Sequence, residues 1–332
     1  MPSPGASYGG GASQKKDGGL PARVLTAAEL RDLLPEDPLP GYEVEWIAAK
    51  TPTPKGDYVA IIPILSRPLG DPELAGLPDL KVLAQCAVGY DNIDLEAAAR
   101  RGIPVTNTPD VLTESTADLA WALILAVARR LKEGQEMLAK GEWTGWNPTQ
   151  LLGLELFGRT LGVVGAGRIG QAVARRGVGF GMEIVYTDQV RRPEFDLATG
   201  ARFADLSSLL GQSDVVTVHV PSTPSTRGLF DGERFSEMKA GALFINTARG
   251  DLVDEDALLA SLDEGHLGGA GLDVFSKEPE VPPALTNHPR VFALPHIGSA
   301  TTHTRRAMAA LAVENARAVL DGKQPVTPVV HR

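Results

Sequence analysis

The fold is decided by the stretch Leu161-Gly162-Val163-Val164-Gly165-Ala166-Gly167-Arg168-Ile169-Gly170, in which an apolar run ends in a glycine-rich turn. The apolar run predicts a buried strand, and the continuation through residues 171–174 predicts a helix that begins at the turn. Gly165 permits the tight turn, Gly167 leaves the backbone open to a pyrophosphate, and Gly170 lets helix and strand pack closely. The first helical N–H groups, at Arg168 and Ile169, have no intrahelical acceptor and attract anions. The stretch therefore predicts a dinucleotide-binding loop.

An acidic residue closes the next predicted strand, at residues 183–188. The carboxylate of Asp188 is placed to accept a hydrogen bond from a ribose 2′-hydroxyl and to repel a 2′-phosphate, which favours NAD(H). Arg191 and Arg192 follow at once, and a guanidinium just past the strand pairs well with a 2′-phosphate. NADP(H) therefore stays open as the alternative cofactor.

Outward from this loop, short apolar runs alternate with helical patterns. Strands are predicted at residues 160–165, 183–188, 214–220, 242–246 and 269–273, and five such runs predict a doubly wound parallel sheet. Upstream, strands are predicted at 58–65, 81–86 and 103–106, with a short helix at 94–101 that Asp94 caps and Gly102 ends. A long helix is predicted at 115–131, with Ser115 and Asp118 as its capping box, and a final helix at 302–320.

These elements predict an α/β protein with two Rossmann-like domains, each built on a doubly wound parallel sheet. We expect a flavodoxin-like substrate-binding domain at residues 22–111 and 302–332. An NAD(P)-binding Rossmann domain at 112–301 is inserted into it. Residues 1–21 are rich in glycine and serine without periodicity, which predicts a disordered tail.

The composition excludes several classes of function. The chain has 32 Lys and Arg against 41 Asp and Glu, a formal net charge of −9, and its basic residues are scattered, so no nucleic acid is expected as a partner. The single cysteine, Cys86, permits neither an internal disulfide nor a cysteine-based zinc site, and no metal site is predicted. The most apolar stretch, residues 119–128, is too short for the roughly 20 residues of a membrane span. We expect a soluble, cytoplasmic protein without an export signal.

Three ionisable residues follow predicted strands in the second domain: Arg249, Glu278 and His296. The carboxyl ends of parallel strands face the crevice in which ligands bind, so the three side chains are expected to converge on a bound nicotinamide. Histidine supplies a proton near neutrality, and a neighbouring carboxylate favours its charged form and fixes its ring. The planar fork of Arg249 suits a substrate carboxylate and stabilises charge that develops on a carbonyl oxygen.

These motifs, together with the glycine loop, resemble the D-isomer-specific 2-hydroxyacid dehydrogenase family over residues 24–329. Within this family, the motif Pro295-His296-Ile297-Gly298-Ser299-Ala300-Thr301 is most similar to the glyoxylate/hydroxypyruvate reductase branch. The resemblance implies that Arg249, Glu278 and His296 are catalytic, with His296 as general acid and base in the reduction of a 2-keto acid to a D-2-hydroxy acid. It implies further cofactor contacts at Thr116, Val220, Pro221, Thr226, Thr247, Asp273 and Gly298. His219, beside Val220, is interpreted as a structural residue at a strand end.

The same resemblance implies substrate contacts at Val88 and Gly89, through backbone N–H groups, and at Arg249 and Ser299. It also implies that Trp146 enters the active site of a second subunit, which predicts a homodimer. Two alternatives to this interpretation remain open from the sequence. In the first, the enzyme acts on 2-ketogluconate or another D-2-hydroxy acid. In the second, the chain is an NADH-sensing, corepressor-like binding protein that keeps the dehydrogenase fold.

Overall fold

A computed structural model describes residues 21–329 and divides them into two compact units. Unit 1 comprises residues 21–112 and 301–329, and unit 2 is the inserted segment Thr113–Ala300. The disordered tail predicted at residues 1–21 lies outside the described residues, apart from Pro21. Among residues 21–329, no helix combines the length and the apolar character needed to cross a bilayer.

Unit 1 is built on a five-stranded parallel sheet of order β2-β1-β3-β4-β5, the flavodoxin-like arrangement. Its strands are β1 (Arg23–Ala27), β2 (Glu43–Ile47), β3 (Tyr58–Ile62), β4 (Val82–Ala84) and β5 (Val105–Thr106). Its helices are α1 (Asp71–Ala75), α2 (Leu95–Arg100) and the last helix of the chain, α11 (Thr302–Leu320), with a 3₁₀ turn at Ala28–Leu33. Helix α11 packs on β3 and β4, so the C-terminal segment completes this unit.

Unit 2 is built on a seven-stranded sheet of order β12-β11-β10-β9-β6-β7-β8, and every neighbouring pair is parallel. Its strands are β6 (Thr160–Val164), β7 (Glu183–Thr187), β8 (Arg202–Phe203), β9 (Val215–Val218), β10 (Leu243–Asn246), β11 (Gly269–Leu272) and β12 (Val291–Ala293). Its helices are α3 (Thr113–Ala128), α4 (Leu131–Ala139), α5 (Arg168–Gly179), α6 (Pro193–Thr199), α7 (Leu206–Gln212), α8 (Gly232–Glu237), α9 (Glu255–Asp263) and α10 (Pro283–Asn287), with a 3₁₀ turn at Gly250–Leu252.

The order of the larger sheet reverses between β6 and β9, which is the switch point of a Rossmann fold. A ligand crevice is expected at such a point, beyond the carboxyl ends of the strands. Both faces of the sheet are covered by apolar clusters, one with α3 and α5 and the other with α7, α8 and α9. The two Rossmann-like parallel sheets confirm the predicted fold class.

Four strands escaped the sequence prediction. The three strands predicted for the first sheet are joined by β1 and β2, and the five predicted for the second by β8 and β12. Three of the four lie at sheet edges, and β8 has only two residues, both exposed, so it lacks the apolar run that marks a buried strand.

The helix predicted at residues 115–131 corresponds to α3, which begins two residues and ends three residues earlier, and its predicted capping box is wrong. Helix α3 begins at Thr113, so Ser115 and Asp118 lie inside it, and Asp118 pairs instead with Arg176 of α5 at 2.6 Å. Helix α3 ends at Ala128, whose carbonyl accepts from the N–H of Leu154 at 2.8 Å. Arg130 then adopts a left-handed backbone, with φ of 53°, and α4 begins. The break is imposed by a distant backbone group and has no local glycine or proline signal.

Candidate active site

The glycine loop lies between β6 and α5, at the switch point of the sheet. Gly165 has a φ of 97°, which side chains rarely tolerate, and its N–H donates to the carbonyl of Thr187 at 2.9 Å. A Cβ at Gly170 would overlap the carbonyl oxygen of Gly165, so the helix reaches the turn only because this side chain is missing. A Cβ at Gly167 would meet no atom within 4 Å, and helix α5 starts directly after it at Arg168 and Ile169. The loop therefore presents open backbone and a helix N-terminus, as a pyrophosphate site requires.

Other predicted cofactor contacts also lie in unit 2. Val220 packs against the turn, since its Cγ1 lies 2.8 Å from an ideal Cβ at Gly165. The hydroxyl of Thr226 donates to the carbonyl of Pro221 at 2.7 Å and so closes the loop that follows β9. The Oγ1 atom of Thr247 is buried and has no hydrogen-bond partner among the described residues. A bound nicotinamide nucleotide would give this hydroxyl a partner, so the residues present fit such a cofactor.

Asp188 follows β7, and its carboxylate forms an ion pair with Arg192, one of the two arginines that follow it in the sequence. Its Oδ1 accepts from the N–H of Gln189 at 2.7 Å, and its Oδ2 accepts from Arg192 Nε at 3.1 Å. Arg191 points elsewhere and pairs with Asp196 at 2.7 Å. Of the two arginines, Arg192 is therefore the one whose guanidinium lies beside the carboxylate of Asp188.

The centre of the candidate site is a histidine–carboxylate pair. The Nδ1 atom of His296 and the Oε2 atom of Glu278 are 2.7 Å apart, and each side chain is about one-third exposed. The other oxygen of Glu278 accepts from the N–H of Phe275 at 3.0 Å. Because Nδ1 is held by the carboxylate, Nε2 is the ring nitrogen left to face a substrate.

The carboxylate of Glu278 is kept charged by its neighbours. Burial acts to raise its pKa, but the hydrogen bond and charge of His296, the N–H of Phe275 and the charge of Arg249 outweigh burial and lower the pKa. Since the folded-state pKa lies below the ordinary value, Glu278 stays ionised at every pH at which a histidine titrates. The pair therefore places a fixed negative charge beside the imidazole of His296.

Asp273, directly after β11, builds the backbone on which His296 sits. It is 1% exposed, and its two carboxylate oxygens accept from the N–H groups of Ile297 and Gly298, both at 2.8 Å. Its main-chain carbonyl accepts from the N–H of His296 at 2.9 Å. Burial raises the pKa of Asp273, although these N–H donors oppose the rise. A positioning role for Asp273 was not predicted, because the resemblance implied only a cofactor contact.

These bonds hold His296 in an unusual backbone conformation. Its φ is 54°, in the left-handed region that few residues other than glycine adopt. Two residues later, the backbone of Gly298 packs closely against Asp273 and Thr116. A Cβ added to Gly298 would lie 3.2 Å from Asp273 Oδ2 and 3.4 Å from Thr116 Cγ2. The strain at His296 is thus balanced by three hydrogen bonds to Asp273, which fixes the direction of the imidazole.

Arg249 is carried on a second braced turn, after β10. The buried side chain of Asn246 spans the turn, accepting from the N–H of Ala248 at 2.9 Å and donating to the carbonyl of Arg249 at 2.8 Å. The guanidinium of Arg249 is half-buried, donates to the carbonyl of Ala248 at 2.7 Å and is near enough to Glu278 to lower its pKa. Sequence reasoning missed Asn246, although a polar residue that ends a buried apolar strand is a usable signal.

His219 lies near the glycine loop but is unsuited to proton transfer. Its Nε2 is 2.9 Å from the hydroxyl of Thr217, and its N–H donates to the carbonyl of Val164 at 2.7 Å. Burial lowers the pKa of His219 to about 3. A ring that stays neutral through the physiological range agrees with the predicted structural role.

The remaining predicted substrate residues are divided between the two units. Val88 and Gly89 belong to unit 1, in the loop after β4, and both are half-buried. Ser299 is half-buried and follows Gly298. Trp146 follows α4 and is 84% exposed, so its ring is not packed within its own chain.

Comparison with known proteins gives a consistent result. Residues 121–298 match the family described as D-isomer specific 2-hydroxyacid dehydrogenase, NAD binding domain. The glyoxylate reductase of Thermococcus litoralis is 46% identical over 296 residues, which cover 86% of this chain and 89% of that protein.

Two solved structures extend the comparison to bound ligands. An NADPH-dependent glyoxylate/hydroxypyruvate reductase from Sinorhizobium meliloti, in complex with NADP and malonate, has a TM-score of 0.83 at 37% identity, covering 93% of this chain and 97% of that one. The D-lactate dehydrogenase of Aquifex aeolicus, complexed with NAD and lactic acid, has a TM-score of 0.82 at 31% identity, covering 90% and 96%. Both cofactor types therefore occur on this fold.

Proposed function

The chain belongs to the D-isomer-specific 2-hydroxyacid dehydrogenase family, and we propose that within it the protein reduces glyoxylate and hydroxypyruvate with a nicotinamide cofactor. The products are glycolate and D-glycerate, and the reverse oxidation uses the same groups. The observation that carries the proposal is the His296–Glu278 pair at 2.7 Å, in the unit that also holds Arg249 and the glycine loop. The 46% identity to a glyoxylate reductase supports this substrate class.

The residues of this chain handle the proton, while NAD(P)H, when bound, supplies a hydride to the substrate's carbonyl carbon. His296, protonated and oriented by Glu278, gives its proton to the carbonyl oxygen, and the imidazole returns to the neutral form. In the reverse direction the neutral ring accepts the hydroxyl proton. Glu278 stabilises the charged ring in both directions and does not itself exchange a proton.

Arg249 and the loop of unit 1 are proposed to bind the substrate. The guanidinium of Arg249 places two N–H donors on one plane, which matches a carboxylate and stabilises the carbonyl oxygen as it gains charge. The backbone N–H groups of Val88 and Gly89 are proposed to hold the carboxylate, and Ser299 is proposed as a further substrate contact. Residues proposed to hold the cofactor are Gly165, Gly167, Arg168, Ile169, Gly170, Asp188, Thr116, Val220, Pro221, Thr226, Thr247, Asp273 and Gly298.

The proposed substrate is tested by steady-state rates on a panel of 2-keto acids with both reduced cofactors. We expect the highest kcat/KM for glyoxylate or hydroxypyruvate, with pyruvate and 2-ketogluconate at least about tenfold lower, since one misplaced group in a pocket costs about that factor. A clear preference for 2-ketogluconate would overturn the substrate assignment and leave the family intact. Tight NADH binding without turnover of any keto acid would instead favour a binding protein.

Cofactor preference depends on Asp188, and we expect the native protein to favour NADH over NADPH. Replacing Asp188 with alanine removes the charge that repels a 2′-phosphate and releases Arg192 from its 3.1 Å pair. We expect the ratio of kcat/KM for NADPH to that for NADH to rise at least about tenfold, the value of a charge-assisted hydrogen bond. The double variant Asp188→Ala, Arg192→Ala is the matched control and should lose most of the gain. A native protein that already prefers NADPH would refute the expectation.

We also propose that the working unit is a homodimer. Large apolar side chains are exposed along α4 and the segment after it, including Leu138 at 64%, Trp146 at 84% and Phe157 at 76%. Several large apolar side chains exposed along one segment are typical of an interaction surface. We expect light scattering to give twice the mass of the chain, and Trp146→Ala to raise KM for the keto acid. A monomeric and fully active native protein would contradict both statements.

The predicted cytoplasmic location stays a proposal. It rests on the sequence, in which Cys86 is the only cysteine, and on the buried, unpaired state of that thiol. Burial raises the pKa of Cys86 to about 12, so the thiol is unreactive and gives no sign of redox use.

A further inference from the structure

The loop after β4 in unit 1 is anchored by its carbonyl groups. The carbonyl of Ala87 accepts from the N–H of Thr108 at 2.8 Å, and the carbonyl of Val88 accepts from Asn107 Nδ2 at 2.8 Å. Two successive carbonyls therefore point toward the same segment, residues 107–108, which follows β5. In an extended strand, successive carbonyls point to opposite sides, so the loop is held in a different conformation here.

This anchoring sets the direction of two N–H groups. Both peptide bonds are trans, and in a trans peptide the N–H of the following residue points opposite to the carbonyl. The N–H groups of Val88 and Gly89 consequently point the same way, away from residues 107–108. Neither donates to another group within residues 21–329. Two parallel, unpaired N–H groups on successive residues form a concave site for an anion.

A third carbonyl of the same loop is also fixed. The carbonyl of Gly89 accepts from Gln85 Nε2 at 3.2 Å, and Gln85 is fully buried. The same Nε2 donates to Asn92 Oδ1 at 2.7 Å, while Asn92 Nδ2 donates to the carbonyl of Arg67 at 2.7 Å. The loop is thus held by the buried amide of Gln85 and the half-buried amide of Asn107, and the N–H groups of Val88 and Gly89 bond to neither.

The backbone of Asn107 is hydrogen-bonded to the C-terminal segment of the chain. The hydroxyl of Thr327 donates to the carbonyl of Asn107 at 2.6 Å, and the N–H of Asn107 donates to the carbonyl of Thr327 at 3.3 Å. The fully buried Asn315 of α11 holds Thr327 in turn, through bonds of 2.8 and 2.9 Å to its hydroxyl and N–H. The side-chain amide of Asn107 therefore has little freedom to turn away from Val88.

We propose that Asn107 is a positioning residue that aligns the N–H groups of Val88 and Gly89 on the substrate carboxylate, and that Thr327 locks it in place. The inference rests on the proposed function, in which these N–H groups bind a 2-keto acid. Asn107 acts on binding and not on proton or hydride transfer, so its effect belongs in KM. An aspartate of the same shape would replace the donor with a charge that repels the carbonyl of Val88 and rotates the peptide.

The test is Asn107→Asp, measured with glyoxylate at saturating cofactor and with oxamate, an unreactive 2-keto acid analogue, as inhibitor. We expect KM and the oxamate Ki to rise together by about tenfold or more, since aligned bonds to a charged group are lost. We expect kcat within about threefold of the native value, and an unchanged Kd for NADH. The matched control is Asn287→Asp, the same change at an exposed position of α10, which should alter none of these values.

Several outcomes would overturn the inference. Unchanged KM and Ki in folded Asn107→Asp would do so, and so would a fall in kcat with KM unaffected. If Asn107→Asp does not fold, Thr327→Val carries the test. This change removes the hydroxyl that donates to the carbonyl of Asn107 and accepts from Asn315, and we expect KM to rise about threefold because Asn107 is held less firmly. Unchanged KM in that variant would then refute the proposal. A native protein that turns over no 2-keto acid would instead refute the proposed function.

Discussion

Replacing His296 with alanine is expected to lower kcat by at least about 10², the usual contribution of a general acid. In the proposed mechanism the imidazole protonates the carbonyl oxygen, and neither Glu278 nor His219 is suited to replace it. Glu278 remains ionised because its pKa is lowered, and His219 is neutral because burial lowers its pKa to about 3. The Kd for NADH, measured by fluorescence titration, should stay near the native value.

A matched control is available in His288, which also sits beside a carboxylate. Its Nε2 is 3.4 Å from Asp263 Oδ1, and neither His288 nor Asp263 belongs to the proposed site. We expect His288→Ala to keep native kcat. If both histidine variants lose activity equally, or if His296→Ala turns over normally, His296 is not the acid.

Removing the charge of the carboxylate separates the roles of the two members of the pair. Glu278→Gln keeps the shape of the side chain and removes its charge, so we expect steady-state kinetics to give a lower kcat, because the charged ring has lost its stabilising partner. The lowered pKa of Glu278 also has a consequence for folding: the carboxylate stabilises the native state above its unfolded pKa, and this stabilisation is lost as pH falls through the folded value.

Sequence patterns predicted the parts of the fold that rest on local signals. The glycine loop, the Asp94 cap and the bounds of the final helix follow from turn chemistry and apolar periodicity, and Asp94 does accept from the N–H of Ala97 at 2.8 Å. The break between α3 and α4 depends on a bond from Leu154, which no local pattern contains. Short edge strands such as β8 are set by their neighbours rather than by their own residues.

The candidate site shows the same division. The sequence predicts three site residues, Arg249, Glu278 and His296, because each has an ionisable side chain and follows a predicted strand. The bracing roles of Asp273 and Asn246 are not predicted, since they depend on which backbone N–H groups a folded turn brings within reach. Asn107 belongs to this second group as well: its side chain meets Val88 only because β4 and β5 are neighbours in the sheet.

Replacing Arg249 with lysine is expected to lower kcat/KM for the keto acid by about 10² to 10³, the cost of removing a donor aimed at a developing oxyanion. Lysine keeps the charge but loses the planar fork, so it cannot bond the carboxylate and the carbonyl oxygen together. The braced turn should survive, because Asn246 bonds only to backbone groups of Ala248 and Arg249.

Three measurements make this last expectation specific to the guanidinium. The control is Arg227→Lys, since Arg227 is exposed and its pair with Asp251, at 3.2 Å, lies outside the proposed chemistry; native kcat/KM is expected. In Arg249→Ala, millimolar guanidinium added to the assay should recover part of the rate, because a free cation can enter the space left by the side chain. Recovery that fails, together with a lowered melting temperature, would show that Arg249 supports the turn and not the substrate. If Arg249→Lys has the native kcat/KM, the planar guanidinium of Arg249 is not needed for the reaction.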